Sequence, residues 1–207
     1  MARPSDVHAK IDLLRAAEQA FVEHGLEKAR VEDITAKAGR SKGSFYLHFQ
    51  SKEDAFRQIV EGFLARLAAM VEYPVDLDAD FETIITSWHE KDLELFEFFW
   101  QNRAVAQLLL HGGSSAQFRY MVDEFAERAR TNCRMLVELG QARGYYRQDL
   151  DLDVTSLAIA GAYDRVVREL VAQPKKPDLS RWLETVQDLL LRGLAANPER
   201  ARRRPRS

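Results

Sequence analysis

The chain is 207 residues long, 46% hydrophobic and 30% charged, with a formal net charge of -2. That length suits one or two domains with a proper core, and the composition is that of a soluble globular protein. Ten glycines and six prolines favour long helices over a turn-rich β fold, no apolar run nears the roughly 20 residues of a membrane span, and Cys133, the only cysteine, excludes an internal disulfide. The opening MARPSDVHAK lacks the apolar segment of a signal peptide, so a cytoplasmic location is expected.

Residues 1–7 read as a loose arm carrying Arg3. Over residues 8–24, Ile11, Leu14, Ala17 and Phe21 mark the apolar face of a first helix that Gly25 ends. Residues 31–52, VEDITAKAGRSKGSFYLHFQSK, then read as a helix-turn-helix followed by the cap of another helix. Val31, Ile34 and Ala38 give the first member one apolar stripe, Gly39 supplies the residue a sharp turn tolerates, and Ser41 can cap the second member. Phe45 and Phe49 form the buried face of that second helix, which leaves Lys42, Ser44, Tyr46 and His48 outward. From Thr35 to Lys52 there are Lys37, Arg40, Lys42 and Lys52 and no acid. Such a basic island in a slightly acidic chain suits a phosphate backbone, with counterion release driving the contact; a solvated basic hairpin is the plain alternative.

Ser51-Lys52-Glu53-Asp54 opens a fourth helix as a capping box, and Phe56, Ile59, Phe63, Leu67 and Met70 carry its stripe to about Val71, before Tyr73-Pro74. The domain boundary is placed in this helix, with residues 1–54 as the DNA-binding domain, 55–199 as a helical domain and 200–207 as a basic tail. Further helices are expected over residues 80–102, 103–110, 115–143, 154–171 and 179–196, about nine in an all-α fold. His111-Gly112-Gly113 stops one, and Phe118, Val122, Phe125, Ala129, Cys133, Leu136 and Leu139 or Gly140 line the inner face of the next. Cys133 reads as a packing residue. Asp149, Asp151 and Asp153 alternate like a calcium loop, but Val154 and Ala160 stand where an EF-hand needs Gly and Glu, so the acids are assigned to a loop and a helix first turn.

The stretch AGRSKGSFYLHFQSKEDAF resembles the TetR family of transcriptional regulators: Ala-Gly, two residues, a small pair, aromatic, Tyr, any residue, His/Tyr-Phe, then Ser/Asn-Lys-Glu. Ala17, Phe21, Gly25, Val31, Asp33, Ile34 and Ala36 extend the likeness backwards, so it covers about the first quarter of the chain. Two positions depart from the pattern, Arg30 for a capping Thr and Arg40 for an apolar residue. The resemblance implies an N-terminal three-helix DNA-binding domain and a C-terminal helical domain for ligand binding and dimerisation. It points to Lys42, Gly43 and Ser44 as base-edge contacts, with Arg30, Arg40, Ser41, Tyr46, His48 and Lys52 holding phosphates or the helix in place.

The middle of the chain is rich in aromatic residues. Phe63, Trp88, Phe96 and Phe99, with Trp100, Phe118, Phe125 and Tyr163, either line an apolar pocket or simply fill the core; the resemblance favours a cavity for a small hydrophobic or aromatic effector, acyl or polycyclic. Near the C-terminus, Ala158, Gly161, Ala162 and Arg165 on one helix and Trp182, Val186, Leu189 and Leu190 on the last suit the family's four-helix dimer interface, with an intrachain core as the alternative. His89-Glu90 lacks the second His of a zinc-protease helix, and no Walker or dinucleotide fingerprint is present. The expectation is a cytoplasmic, homodimeric, ligand-responsive repressor binding a double-stranded operator, with no cofactor, metal, membrane or enzymatic role. The alternative is a DNA-binding architectural or partner-controlled protein without a small-molecule switch.

Overall fold

The computed structural model describes residues 4–71, 79–110 and 118–196. Among the described residues there are nine helices: α1 (Pro4–Lys28), α2 (Val31–Ala38), α3 (Lys42–His48), α4 (Lys52–Val71), α5 (Phe81–Gln101), α6 (Arg103–Leu110), α7 (Arg119–Ala142), α8 (Leu152–Ala172) and α9 (Leu179–Leu194). Arg3, the Tyr73-Pro74 break, the His111–Gly113 stop, the start at Ser115 and the tail 200–207 lie outside the described residues. The all-α expectation holds, and the expected helix ends fall within a few residues of those observed. The main difference is α1, which starts four residues early; as expected its first segment stops at Gly25, non-helical at φ 74° and ψ 160°, and a further turn carries the chain to Lys28.

Local chemistry explains the ends. Asp80, Asp151 and Asp178 each accept a hydrogen bond from the backbone amide three residues on, capping α5, α8 and α9. Asp151 and Asp153 therefore belong to a helix start, as expected, Asp153 lying in the first turn of α8. For α4, Ser51 Oγ accepts from Asp54 N at 3.2 Å, but the Asp54 carboxylate accepts from Gln50 N at 2.9 Å rather than from Ser51. The box closes one residue further back than its usual form.

The chain divides into two compact units. The first comprises Met1–Arg66 and Arg103–Val122. There α1, α2 and α3 pack on one another, and α6 packs on α1. Its centre holds Phe21, Phe45, Phe49 and Phe56, all at 1% exposure or less, each contributing roughly 1.5–3 kcal/mol by leaving water. Phe21 meets Phe56 edge-on at 5.4 Å, and Phe56 meets Phe118 at 4.9 Å. The expected face of α1 needs correction: Ile11 is 40% exposed, and Ala9, Leu13, Ala16 and Ala20 are buried beside Ala17 and Phe21. Leu13, and not the expected Leu14 beside it, is the buried leucine, and Leu14 is half-buried.

The second unit comprises Leu67–Asn102 and Asp123–Ser207. Helix α5 packs on α8 and α9, which also touch each other. On α7 the buried positions are Val137 and Gly140; Leu136, expected inside, is only half-buried. The turn after α7 covers the end of that helix. Tyr146 folds back over Gly140, pairs as an isolated antiparallel bridge with Ala195, and is 2% exposed. A Cβ at position 140 would stand 2.1 Å from Tyr146 Cδ2, so the ring occupies the space a side chain would need. Burial also pushes the Tyr146 phenol pKa up. Among the described residues no helix is long and apolar enough to cross a membrane.

Gly140→Ala should therefore overpack this corner and destabilise the protein by about 1–3 kcal/mol, seen as a Tm several degrees lower in a thermal melt. The same change in a Tyr146→Leu background should cost clearly less; equal costs would show that the ring is not the obstacle.

Candidate nucleic-acid interface

The turn between α2 and α3 rests on Gly39, which sits at φ 62° and ψ 35°, a left-handed conformation that costs a residue with a Cβ more than it costs glycine. Gly39 N and Arg40 N donate to the Ala36 and Thr35 carbonyls, closing α2. Ser41 then caps α3, its Oγ accepting from Ser44 N at 3.1 Å. With Phe45 and Phe49 pointing into the core, α3 presents Lys42, Gly43, Tyr46 and Leu47 to solvent. Tyr46 is 56% exposed and its ring stands edge-to-face with Phe45, the ring centres 5.4 Å apart. Ser44 and His48 are half-buried at the flanks, His48 against Phe49.

Gly43 has no counterpart need inside the protein. Its φ is not positive, and a Cβ there would meet only Ser41 Oγ at 3.6 Å, an ordinary contact. Glycine at a helical position nevertheless costs up to about 1 kcal/mol relative to alanine.

The basic island is less bare than its sequence. Lys37 Nζ pairs with Glu23 Oε1 at 2.9 Å, Arg40 with Asp12 Oδ2 at 2.8 Å, and Lys42 with Glu32. The acids come from α1 and from the first turn of α2, distant in sequence from the cations they meet. The hydrogen bond from Lys42 is the main reason the Glu32 carboxyl pKa lies below its usual value, as that from Lys37 is for Glu23. These pairs are all solvent-exposed, so they are weak and screened by salt. Lys52 is different in kind: its Nζ donates to the Glu27 and Ala29 carbonyls at 2.8 and 3.1 Å, tying α4 to the end of α1. Arg30 stands at the N-cap of α2 and makes no side-chain cap hydrogen bond, as its chemistry requires; it is exposed and in no ion pair among the described residues.

The eight aromatic positions of the expected effector pocket divide between the units. Phe63 and Phe118 belong to the first, Phe118 against Phe56. Trp88, Phe96, Phe99, Trp100, Phe125 and Tyr163 belong to the second, where Phe96 is fully buried and meets Tyr163 edge-on at 6.3 Å. Around Tyr163 lies a polar cluster absent from the expectations. The Asp92 carboxylate accepts from Tyr163 Oη at 2.5 Å and from Gln187 Nε2 at 2.8 Å, and His89 Nδ1 donates to Gln187 Oε1 at 2.8 Å. Asp92 and Gln187 are buried. Cys133 has a thiol pushed up to about 11 by burial and then by the Asp92 charge, so it stays protonated near neutrality, in keeping with a packing role. The signal for the cluster was present: Asp92 interrupts the apolar stripe Trp88–Leu95–Phe99 on α5, and Gln187 the stripe Leu183–Leu190 on α9.

Of the expected dimer residues, Ala158, Gly161 and Arg165 on α8 and Leu189 on α9 are exposed, while Ala162, Trp182, Val186 and Leu190 are half-buried. Leu189 is 74% exposed, and Val154 and Leu157 on α8 are 66% and 62% exposed.

Residues 13–59 match the family of bacterial regulatory proteins, tetR family, and residues 56–193 match the C-terminal region of YsiA-like proteins. The HTH-type transcriptional repressor KstR2 of Mycobacterium tuberculosis is 31% identical over 147 residues, covering 69% of this chain and 72% of that protein. The solved structure of the fatty acid degradation regulator FadR from Bacillus halodurans is 26% identical with a TM-score of 0.63, covering 93% of this chain and 97% of that one. SmeT, the repressor of the Stenotrophomonas maltophilia multidrug efflux pump SmeDEF, shares the fold at a TM-score of 0.72 and 21% identity over 91% of each chain.

Converting Asp12 and Glu23 to their amides should release Arg40 and Lys37 to meet phosphates, and Glu32→Gln should release Lys42 to meet a base edge. Affinity for a random duplex should rise, and the slope of log K against log salt should steepen by roughly 0.9 for each added contact. Anisotropy titrations at several salt concentrations measure this; an unchanged slope would mean that these cations do not face DNA.

Proposed function

The chain belongs to the tetR family of bacterial regulatory proteins, and from that premise we propose that it is a cytoplasmic repressor. It binds a palindromic operator as a homodimer and is released by a small hydrophobic effector. Its relatives are DNA-binding transcriptional regulators, not enzymes. The observation that carries the operator reading is α3 itself. Its hydrophobic face is consumed by Phe45 and Phe49, its N-terminus is capped by Ser41, and its outward face offers Lys42, Gly43 and Tyr46. In a helix-turn-helix this second helix enters the major groove with its N-terminal residues at base edges. Lys42 is the base reader, suited to guanine O6 and N7. Tyr46, His48, Arg30 and Arg40 hold phosphates, while Lys52 supports the site through its two carbonyl contacts.

Dimerisation is supported by the apolar side chains that α8 and α9 leave in water, among them Val154, Leu157 and Leu189, beside the small residues Ala158 and Gly161. One seven-residue helix reads too few bases to specify a site, and two-fold pairing doubles them. The effector binds among Trp88, Phe96, Phe99, Trp100, Phe125 and Tyr163 in the second unit. A relative named for fatty acid degradation favours an acyl compound over a polycyclic one. Helix α4, continuous from the first unit into the second, would carry the signal, provided the effector prefers the non-binding state. The unswitched alternative draws on the full burial of Phe96 and the near-complete burial of Phe99 and Trp100, as in a packed interior.

Binding to DNA from upstream of the protein's own gene should be tight, salt-sensitive and relieved by one class in a panel of acyl compounds and other hydrophobic metabolites. Tight binding that none of them relieves would select the unswitched reading. Lys42→Ala should weaken specific binding roughly tenfold or more and relax one base position, which selection from a random pool would display; equal losses on specific and random DNA would contradict base reading.

A further inference from the structure

Leu47 is 80% exposed, the most exposed large apolar side chain among the described residues, and it stands on α3 between two residues of the outward face. It is one helical turn beyond Gly43, about 40° away around the axis, so the two share one strip of surface. Gly43 is a bare position that neither backbone conformation nor packing requires, in a helix that glycine weakens. A notch and an apolar knob thus lie in sequence along the face that α3 offers. We infer that this notch and knob read thymine: a thymine 5-methyl group enters over Gly43 and packs against Leu47.

The chemistry leaves one occupant. Leucine has no donor or acceptor, so it cannot read the hydrogen-bonding pattern of a base edge. The only apolar group on the major-groove edges of the four bases is the thymine methyl. Lys42, on the adjacent strip with Tyr46, reads acceptors; Leu47 and Gly43 read the methyl beside them. An isobutyl group left in water, on a helix that buries Phe45, gains by this contact what it cannot gain inside the protein. The inference rests on the operator reading of α3 and adds a specificity determinant to it.

The test begins with duplexes selected from a random pool by the wild-type protein. Each thymine of the selected site is replaced in turn by deoxyuridine, which removes only the methyl. At one position per half-site the wild type should lose roughly fourfold in affinity, the fold-change for one buried methyl-sized group. Leu47→Ala, whose side chain supports nothing in the core, should bind the thymine site more weakly and be indifferent to uracil at that position. Gly43→Ala should raise Tm while lowering operator affinity, because it fills the notch. Loss of methyl sensitivity in Leu47→Ala alone, with other positions unchanged, supports the inference. A wild-type protein indifferent to uracil everywhere, a Leu47→Ala protein that keeps its methyl sensitivity, or a Gly43→Ala protein with undiminished affinity overturns it and leaves the operator reading intact. A folded wild type that enriches no sequence at all overturns both.

Discussion

Phe45 and Phe49 stand four residues apart at the end of a helix of only seven residues, and both are withdrawn from water. A helix of that length has no stability of its own, since nucleation costs more than a turn or two of hydrogen bonds returns. It exists because those two rings are held by the core that Phe21, Phe56 and Ile34 complete. The same burial fixes the rotation of α3 about its axis. Once 45 and 49 face inward, 42, 43, 46 and 47 must face outward, and the exposed face is defined by subtraction. The Gly39 turn and the Ser41 cap set where the helix starts; the phenylalanines set which way it looks.

That logic is local, and it was legible. Periodicity, one glycine, one cap and two aromatics placed α2, the turn and α3 at their observed positions. Charge was not legible in the same way. The stretch from Thr35 to Lys52 contains no acid, yet three of its cations meet carboxylates from residues 12, 23 and 32. A charge inventory along the chain sees sequence neighbours, whereas the field at a surface is made by spatial ones. The result is a surface on which Lys37, Arg40 and Lys42 are each balanced by an exposed carboxylate, while, among the described residues, Arg30 is not. Lys52 shows the same limit differently: its charge suggested phosphate, and its position gave it two carbonyls.

The helix ends of the second unit were read from the sequence more closely than its interior. The three aspartate caps follow a short-range rule and appear where the sequence puts them. The pair Leu136 and Val137, like Leu13 and Leu14 in the first unit, was harder, because a shift of one residue rotates a helix face by 100°, and only the neighbouring element decides which of two adjacent apolar residues is covered. At the end of α7, Tyr146 is folded back from beyond the helix over Gly140, a contact no window of sequence could have shown. The division of the aromatic set, with Phe118 serving the first unit's core, has the same cause.

The polar cluster bears on what the second unit can recognise. Aromatic walls alone discriminate poorly, since one methylene more or less in an apolar site changes binding by only about 1–3 kcal/mol. A site that carries hydrogen-bonding groups rejects molecules that leave them unmatched far more strongly. Asp92, Tyr163, Gln187 and His89 tie α5, α8 and α9 together through such groups, and Tyr163 also touches the aromatic set through Phe96. Any molecule that reached Tyr163 would meet an apolar face on one side and a hydroxyl committed to a buried carboxylate on the other. To displace that hydroxyl it would have to replace its hydrogen bond, because a buried acceptor left unmatched is costly. For the effector proposed above, this favours an amphiphile with a hydrophobic body for the aromatics and a polar end.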